Sequence, residues 1–405
     1  MPPHEMMLCP ATEANPRYGE GSVLALPDGE LLAAYAEFTS SNQGDMGAAH
    51  VLGRTSRDRG RTWGEPFEIV ANDCITTFSV SLLQLPSGRI LLAYIRKESV
   101  EDGVDMQGVS STCCRPWFRT SDDNGRTWSE PWVLDVQGSK EYWTFNNDRL
   151  VRHSSGRLFY PGAPLVARGD DDPYHSSTIC VYSDDEGRTW TCSRTRLELE
   201  AMDGLQEPCV VERRDGSLLM YMRTSIGHQC RSVSTDRGET WGPVEPVIEM
   251  ISPVSPVSVK RIDSTGHLLA IFNKTYDPLM ANGPCHMGWR TPLTATISLD
   301  DGEHWSLLRN IENDPKYTYD YVSITMLPSD EVLLTYHWTK WEDPQNLYSW
   351  RRHYKLKVLP VAWFYDGSGE QASHGYPPYP MKTSWPPQRP DVSQREPRMQ
   401  TDTRG

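Results

Sequence analysis

Apolar and polar positions recur along most of this chain in one short figure: an apolar run, a polar turn and a second apolar run. Six copies can be read: GSVLALPDGELLAAY (21–35), SVSLLQLPSGRILLAY (around 80–95), DRLVRHSSGRLFYPG (148–162), PCVVERRDGSLLMYM (208–222), VSVKRIDSTGHLLAIF (257–272) and YVSITMLPSDEVLLTY (321–336). Pro-Asp-Gly, Pro-Ser-Gly and Ser-Gly break each figure into two β-rich runs, which predicts a hairpin. No long stretch repeats its apolar residues with a period near 3.6, so a helical array is excluded.

Between the hairpins the chain repeats an eight-residue turn: SRDRGRTW (56–63), SDDNGRTW (121–128), SDDEGRTW (183–190), STDRGETW (234–241) and SLDDGEHW (298–305). Asp and Ser side chains can bond the backbone of a tight turn, Gly supplies a positive φ, and Trp buries a large ring beneath it. A turn used five times reads as scaffold, because a catalytic group is needed once. Each unit becomes hairpin, third strand, turn and fourth strand, the last often opening on Glu-Pro (Glu65-Pro66, Glu130-Pro131, Glu245-Pro246). Six four-stranded units closing on themselves predict an all-β, six-bladed β-propeller. The sixth lacks the turn and ends in HYKLKVLPVAWFY (353–365), read as a closing strand. Residues 1–14 are assigned to an N-terminal extension, 15–365 to the propeller and 366–405 to a disordered tail rich in Pro, Ser, Gln and charge, whose Pro-Pro pairs read as spacer or partner-binding motif.

Composition narrows the partners. The 405 residues carry a net charge of −14, so a nucleic-acid partner is not expected. A small anionic substrate stays compatible, because a few arginines in a pocket reverse the local field. Nine cysteines are scattered without metal spacing, mostly beside apolar runs, and read as small buried hydrophobes. The N-terminus lacks a basic start and a long apolar run, so neither a secretory leader nor a membrane span is expected, and a cytoplasmic monomer is the default. Asp170–Asp171–Asp172 reads as a solvated acidic run or a calcium loop; no metal or cofactor is required.

The turns and hairpins together resemble the sialidase (neuraminidase) superfamily over roughly residues 15–365. QEPCVVERRDGSLLMYMR (206–223) is similar to the segment in which a Glu heads an inner strand and an Arg ends the hairpin. The resemblance makes Glu207 the base that activates a tyrosine and Arg223 one of three substrate-binding arginines. Arg290, after the loop NGPCHMGWR and before TPLTATISLDDGEHW, takes the place of another. YTYDYVSITMLPSDEVLLTYHW resembles the nucleophile segment and implies Tyr321, with Tyr319 in reserve. In the loop FTSSNQGDMGAAH, Asp45 stands where the family's acid/base belongs. The chemistry is coherent. Arg presents a planar fork suited to a carboxylate, and a tyrosine with a pKa near about 10 needs a base. A phenolate nucleophile spares an anionic sugar the repulsion of a carboxylate, and an acid at Asp45 would protonate the leaving oxygen and then activate water.

Two positions depart from the family. Its Phe/Tyr-Arg-Ile-Pro motif is PRYGEGSVLALPDG here, which puts Gly19 or Glu20 where the first arginine belongs and leaves Arg17 two or three residues early unless the strand slips or bulges. His337 stands where a supporting Glu is typical. Glu20 and His337 are therefore expected to pair in a rebuilt subsite, shifting preference from ordinary sialosides toward another 2-keto acid sugar, a uronic acid or a neutral sugar. Arg96 and Arg115 on the second blade, and Asn146, Asn147, Asp148 and Arg149 at the third hairpin, interrupt apolar pattern and read either as pocket lining or as turn and surface groups. Arg115 or Arg149 could supply the missing charge, and Lys260 and Arg261 read as structural. The expected function is a retaining exo-glycoside hydrolase acting on a terminal acidic sugar. The alternatives are a non-hydrolytic glycan-binding propeller and a polysaccharide lyase acting on uronates through Tyr321 and His337.

Overall fold

The fold was analysed in a computed structural model, which describes residues 3–39, 44–106, 109–134, 142–165, 175–201, 203–275, 290–340 and 351–366. The tail from 367, Cys285 and Asp170–Asp171–Asp172 lie outside the described residues. The regular structure of the described chain is nearly all strand, and no helix in it is long and apolar enough to cross a membrane.

Six antiparallel units follow one another as the hairpins and turns require. The first, for example, runs Arg17–Ala25, Leu31–Phe38, Ala49–Ser56 and Phe67–Val70, and the fourth Gln206–Glu212, Leu218–Arg223, His228–Ser234 and Glu245–Ile251. The sixth contributes Tyr317–Leu327, Glu331–Lys340 and Arg352–Pro360, and is completed by His4–Cys9, which pairs along the outer side of Arg352–Pro360. The segment read as an extension thus supplies a strand of the last blade. A single parallel bridge, Arg17 to Arg352, joins that blade to the first.

The repeated turn does more than reverse the chain. In the second copy Ser121 Oγ accepts from Gly125 N at 2.9 Å, and Asp123 accepts from the backbone and hydroxyl of Thr127 at 2.8 and 2.6 Å. Trp128 Nε1 donates to the Gly125 carbonyl at 3.1 Å. The glycine of each copy also presses on the preceding blade. A Cβ at Gly125 would stand 2.5 Å from Leu32, at Gly187 3.0 Å from Leu91, at Gly238 2.4 Å from Phe159, at Gly302 2.3 Å from Leu219, and at Gly60 3.0 Å from Leu333 of the sixth blade. The contacts run round the array in one direction, the arrangement of a propeller. Core clusters also lie between neighbouring blades: Val23, Leu31 and Tyr35 of the first pack with Leu327, Leu333 and Tyr354 of the sixth. Six of the described cysteines are buried and all are free.

Four inner strands carry the same irregularity. Pairing shifts between Gly19 and Ser22, Phe78 and Ser81, Gln206 and Cys209, and Asp320 and Ser323, while the partner strand advances by two residues. Each is a β-bulge with one extra residue. The first residue of each bulge has a positive φ: Glu20 at 47°, Ser79 at 55°, Glu207 at 43° and Tyr321 at 55°. In the third blade the departure is larger. Trp143–Thr144 and Val151–Arg152 both pair with Leu158–Pro164, but residues 145–150 lie opposite 160–162 alone, so the segment leaves the sheet. It contains Asp148, with φ 56°.

The turn glycines divide into two kinds. Gly29 (φ 86°) has nothing within 4 Å of an added Cβ, whereas Gly125 (φ 82°) has Leu32. Gly29→Ala is expected to cost about 1–2 kcal/mol from backbone strain alone. Gly125→Ala adds about 1–3 kcal/mol of overpacking, so its melting temperature should fall clearly further in a thermal denaturation experiment. Equal losses would show that the turn does not brace one blade on the next.

Candidate active site

The departing segment of the third blade sits among the inner strands and binds four other blades. Asn147 Nδ2 donates to the carbonyls of Gly21 at 2.9 Å and Tyr321 at 3.2 Å. The buried Asp148 carboxylate accepts from Ser22 Oγ, from Ile324 N at 3.0 Å and from Lys260 Nζ at 3.3 Å, while its own N–H donates to the Val80 carbonyl. Arg149 donates to Ser258 Oγ and to the Val257 carbonyl, and its N–H to Ser81 Oγ. These hydrogen bonds hold blades together, and Arg149, 2% exposed with both terminal nitrogens bonded to the fifth blade, is a structural arginine. Arg261 is likewise structural, bonded to backbone carbonyls and to Asp301 at 2.7 Å.

Above this support the bulges bring the chemistry together. A regular strand would send Asp320 and Tyr321 to opposite faces. The extra residue turns both inward. The Tyr321 hydroxyl donates to Glu207 Oε1 at 2.9 Å, and Glu207 Oε2 accepts from Arg223 Nη1 at 2.7 Å. Arg290 donates to Asp320 Oδ2 at 2.5 Å and to the Val254 carbonyl at 3.0 Å, with its guanidinium carbon 5.5 Å from the centre of the Tyr321 ring. Tyr319, the reserve nucleophile, points the other way into the core between the fifth and sixth blades, and its hydroxyl bonds the Asp314 carbonyl.

The first strand corrects the sequence reading. Its bulge absorbs the offset that seemed to remove an arginine, so Arg17 enters the site. It is 1% exposed, lies 4.3 Å over the Phe38 ring, donates to Asp45 Oδ1 at 2.8 Å and closes its other end on Glu20. Glu20 also accepts from Ser79 of the second blade. Glu20 and His337 do not pair. His337 Nδ1 bonds Asp320 Oδ1 at 2.8 Å, and the imidazole lies against Gly19, where a Cβ would stand 2.2 Å from the ring. Its edge faces Tyr321 at 5.4 Å.

Arg96 and Arg115 stay outside this cluster. Arg96 pairs with Asp73 at 2.6 Å and stacks on Trp117, and Arg115 pairs with Glu98 at 2.7 Å. Among the described residues no hydrogen bond or ion pair links either to the site. The site residues that the sequence did not offer are Asp320, Lys97, whose Nζ donates to the Asp45 carbonyl at 2.8 Å, and Arg352. A signal for the bulges was present. Ser22, Ser81, Cys209 and Ser323, each two residues after a positive-φ position, are small and buried.

Burial and charge set the protonation states. Burial, and then the neighbouring Glu207 carboxylate, push the Tyr321 phenol far above its ordinary range despite Arg290 and Arg223, so it rests protonated and donating. At Asp45 burial works the other way but is outweighed by the charges of Arg17 and Lys97, which hold the carboxyl well below its usual range. The Asp45 side chain is still 43% exposed and open to a ligand. Asp320 is depressed in the same manner, burial being outweighed by Arg290 and His337. Burial lowers His337 and keeps its ring neutral, although Asp320 pulls the other way.

The fold is shared by known proteins. The model of the BNR repeat-like domain family matches residues 29–332. A sialidase of Micromonospora viridifaciens is 26% identical over 344 residues, covering 80% of this chain and 50% of that protein, so the chain spans about half the length of that relative. Among solved structures, a Dyadobacter fermentans protein of unknown function superposes with a TM-score of 0.68 at 18% identity, covering 88% of this chain and 99% of the other. A Streptococcus pneumoniae sialidase superposes at 0.66 with 15% identity, covering 88% and 70%. At such identities the structural likeness establishes the fold.

The depressed Asp320 carboxyl makes a stability prediction. A group whose folded pKa is lowered contributes stability above its ordinary value of about 4, and that contribution is lost as pH falls toward the folded value. Asp320→Asn leaves Arg290 and His337 without their carboxylate and should cost about 3–5 kcal/mol at pH 7. The gap between the thermal melts of parent and variant should begin to close below about pH 5 and keep narrowing through pH 3 for as long as both proteins stay folded; a gap that stays constant or widens in acid would contradict the assignment.

Proposed function

The chain belongs to the BNR repeat-like domain family of the sialidase superfamily, and from that premise we propose that it is a retaining exo-glycoside hydrolase acting on a terminal acidic sugar, sialic acid or a related ulosonic or uronic acid. The observation that carries the proposal is the 2.9 Å hydrogen bond from the Tyr321 hydroxyl to Glu207, flanked by Arg223 and Arg290. A half-buried tyrosine set beside a carboxylate and two guanidinium groups exceeds what packing needs.

In the first step the Tyr321 oxygen attacks the anomeric carbon as its proton passes to Glu207 Oε1. The glycosidic C–O bond breaks, and the leaving oxygen takes a proton from Asp45. In the second step Asp45 removes a proton from water, water displaces the tyrosine oxygen from the anomeric carbon, and Glu207 returns the proton to Tyr321. Arg223 and Arg290 hold the sugar carboxylate and keep the transient phenolate within a positive field.

Asp45 must carry a proton to begin, yet Arg17 and Lys97 favour its ionised form in the free protein. A substrate carboxylate arriving among these cations offsets their field and raises the affinity of Asp45 for a proton. Substrate binding therefore prepares the acid. A purely glycan-binding propeller has no need of this proton-transfer set. A lyase using Tyr321 and His337 requires His337 to give up a proton, whereas burial keeps that ring neutral with Nδ1 engaged by Asp320.

An aryl-glycoside panel of sialic, other ulosonic and uronic acids, read for both reducing ends and ultraviolet absorbance of a new double bond, tests the reading. The expected result is a saturated reducing sugar. Tyr321→Phe should reduce turnover at least about a thousandfold and Asp45→Ala about 10²–10⁴-fold. Unsaturated product, or full turnover by Tyr321→Phe, would refute the mechanism. In pH profiles, the alkaline limb of kcat should lie at higher pH than that of kcat/KM, because the bound anion raises Asp45. Coincident limbs would exclude that coupling.

A further inference from the structure

Four arginines meet at the site, and only one lacks a counter-charge. Arg17 is closed by Asp45 and Glu20, Arg223 is bonded to Glu207, and Arg290 to Asp320. Arg352 opens the third strand of the sixth blade, half-buried, its N–H bonded to the Pro16 carbonyl and its Cα paired with that of Arg17 in the bridge joining the first and last blades. Its guanidinium lies within the field of Arg17, Asp320, Asp45 and Tyr321, yet among the described residues it makes no ion pair and no side-chain hydrogen bond.

An unpaired, partly buried guanidinium beside another arginine is a cost to folding. Here the first-strand departure from the family pattern, Glu20, gives it a use. Glu20 and Asp45 occupy both terminal nitrogens of Arg17, which is 1% exposed, so this arginine is poorly placed to open for a ligand. Arg352 stands next to it, half-buried, with no ion pair among the described residues. Beside it, His337 Nε2 is buried and without a partner. The formal charges agree: the four arginines and Lys97 face the carboxylates of Glu20, Asp45, Glu207 and Asp320, with His337 neutral, which leaves one positive charge.

We propose that Arg352 is the specificity-determining residue that receives the carboxylate of a monoanionic sugar, in the part that Glu20 and Asp45 deny to Arg17. The inference rests on the glycosidase reading of the site. It differs from that reading by moving the anion contact to a residue outside the three arginines that the family resemblance implies, and by limiting the ligand to one negative charge.

The test compares Arg352→Met, Arg352→Lys and parent by calorimetric titration with free N-acetylneuraminic acid and with glucuronic acid, and by kinetics on an acidic aryl glycoside and its methyl ester. Losing a charge-assisted pair worth about 1.5–3 kcal/mol corresponds to a roughly 10–150-fold weaker Kd for the acid. KM for the acidic glycoside should rise with it while values for the ester change little, and Arg352→Lys should recover part of the loss. Because the Arg352 side chain has no hydrogen-bond or ion-pair partner among the described residues, Arg352→Met should melt at or above the parent temperature, which separates this outcome from unfolding. Unchanged acid binding in a folded Arg352→Met protein that retains turnover overturns the role of Arg352 and leaves the glycosidase reading standing. A parent that neither binds nor cleaves any of these acids overturns both.

Discussion

The buried carboxylate of Asp148 is the point on which the inner strands converge. It accepts from the first blade through Ser22, from the fifth through Lys260 and from the backbone of the sixth through Ile324. Leaving such a group unsatisfied would be expensive, so the blades are held to one arrangement around it. Asn147 adds the contact that matters for chemistry, because its amide binds the carbonyls of Gly21 and Tyr321. The first and sixth bulges are thereby fixed to the same side chain. A polar segment that interrupts an apolar pattern is here the support of the site rather than its lining.

The bulges turn that support into a constellation. A left-handed residue in a strand costs about 1–3 kcal/mol, and Glu20, Ser79, Glu207 and Tyr321 adopt it at equivalent places. Three of the four are ionisable groups that face one another. The extra residue lets consecutive side chains such as Asp320 and Tyr321 share a face, so the site packs more charge around the axis than alternating strands allow. Three of the arginines then have a defined opponent: Arg17 with Asp45, Arg223 with Glu207 and Arg290 with Asp320. The resulting field keeps Tyr321 protonated and Asp45 ionised.

What the sequence determined by itself was the scaffold and most of the residues that meet at the candidate site. Hairpin patterning and the Ser-x-Asp turn depend on local periodicity and turn chemistry, which are properties of neighbours in the chain, and so the six units could be counted, while the resemblance to the sialidase superfamily placed Asp45, Glu207, Arg223, Arg290 and Tyr321 along them. Tertiary structure decided who meets whom. Arg17 was set aside because a straight strand puts it too early, and one inserted residue brought it back. Glu20 and His337 invite pairing because both depart from the family pattern, but Arg17 and Asp320 are nearer. Arg96 and Arg115 were charges in the right blade with partners of their own, Asp73 and Glu98. Arg352 gave no signal, since only closure of the last blade on the first brings it beside Arg17. Local pattern is written in residues a few positions apart; register, bulges and charge pairing are settled between strands up to hundreds of residues apart, where one extra residue redirects a side chain.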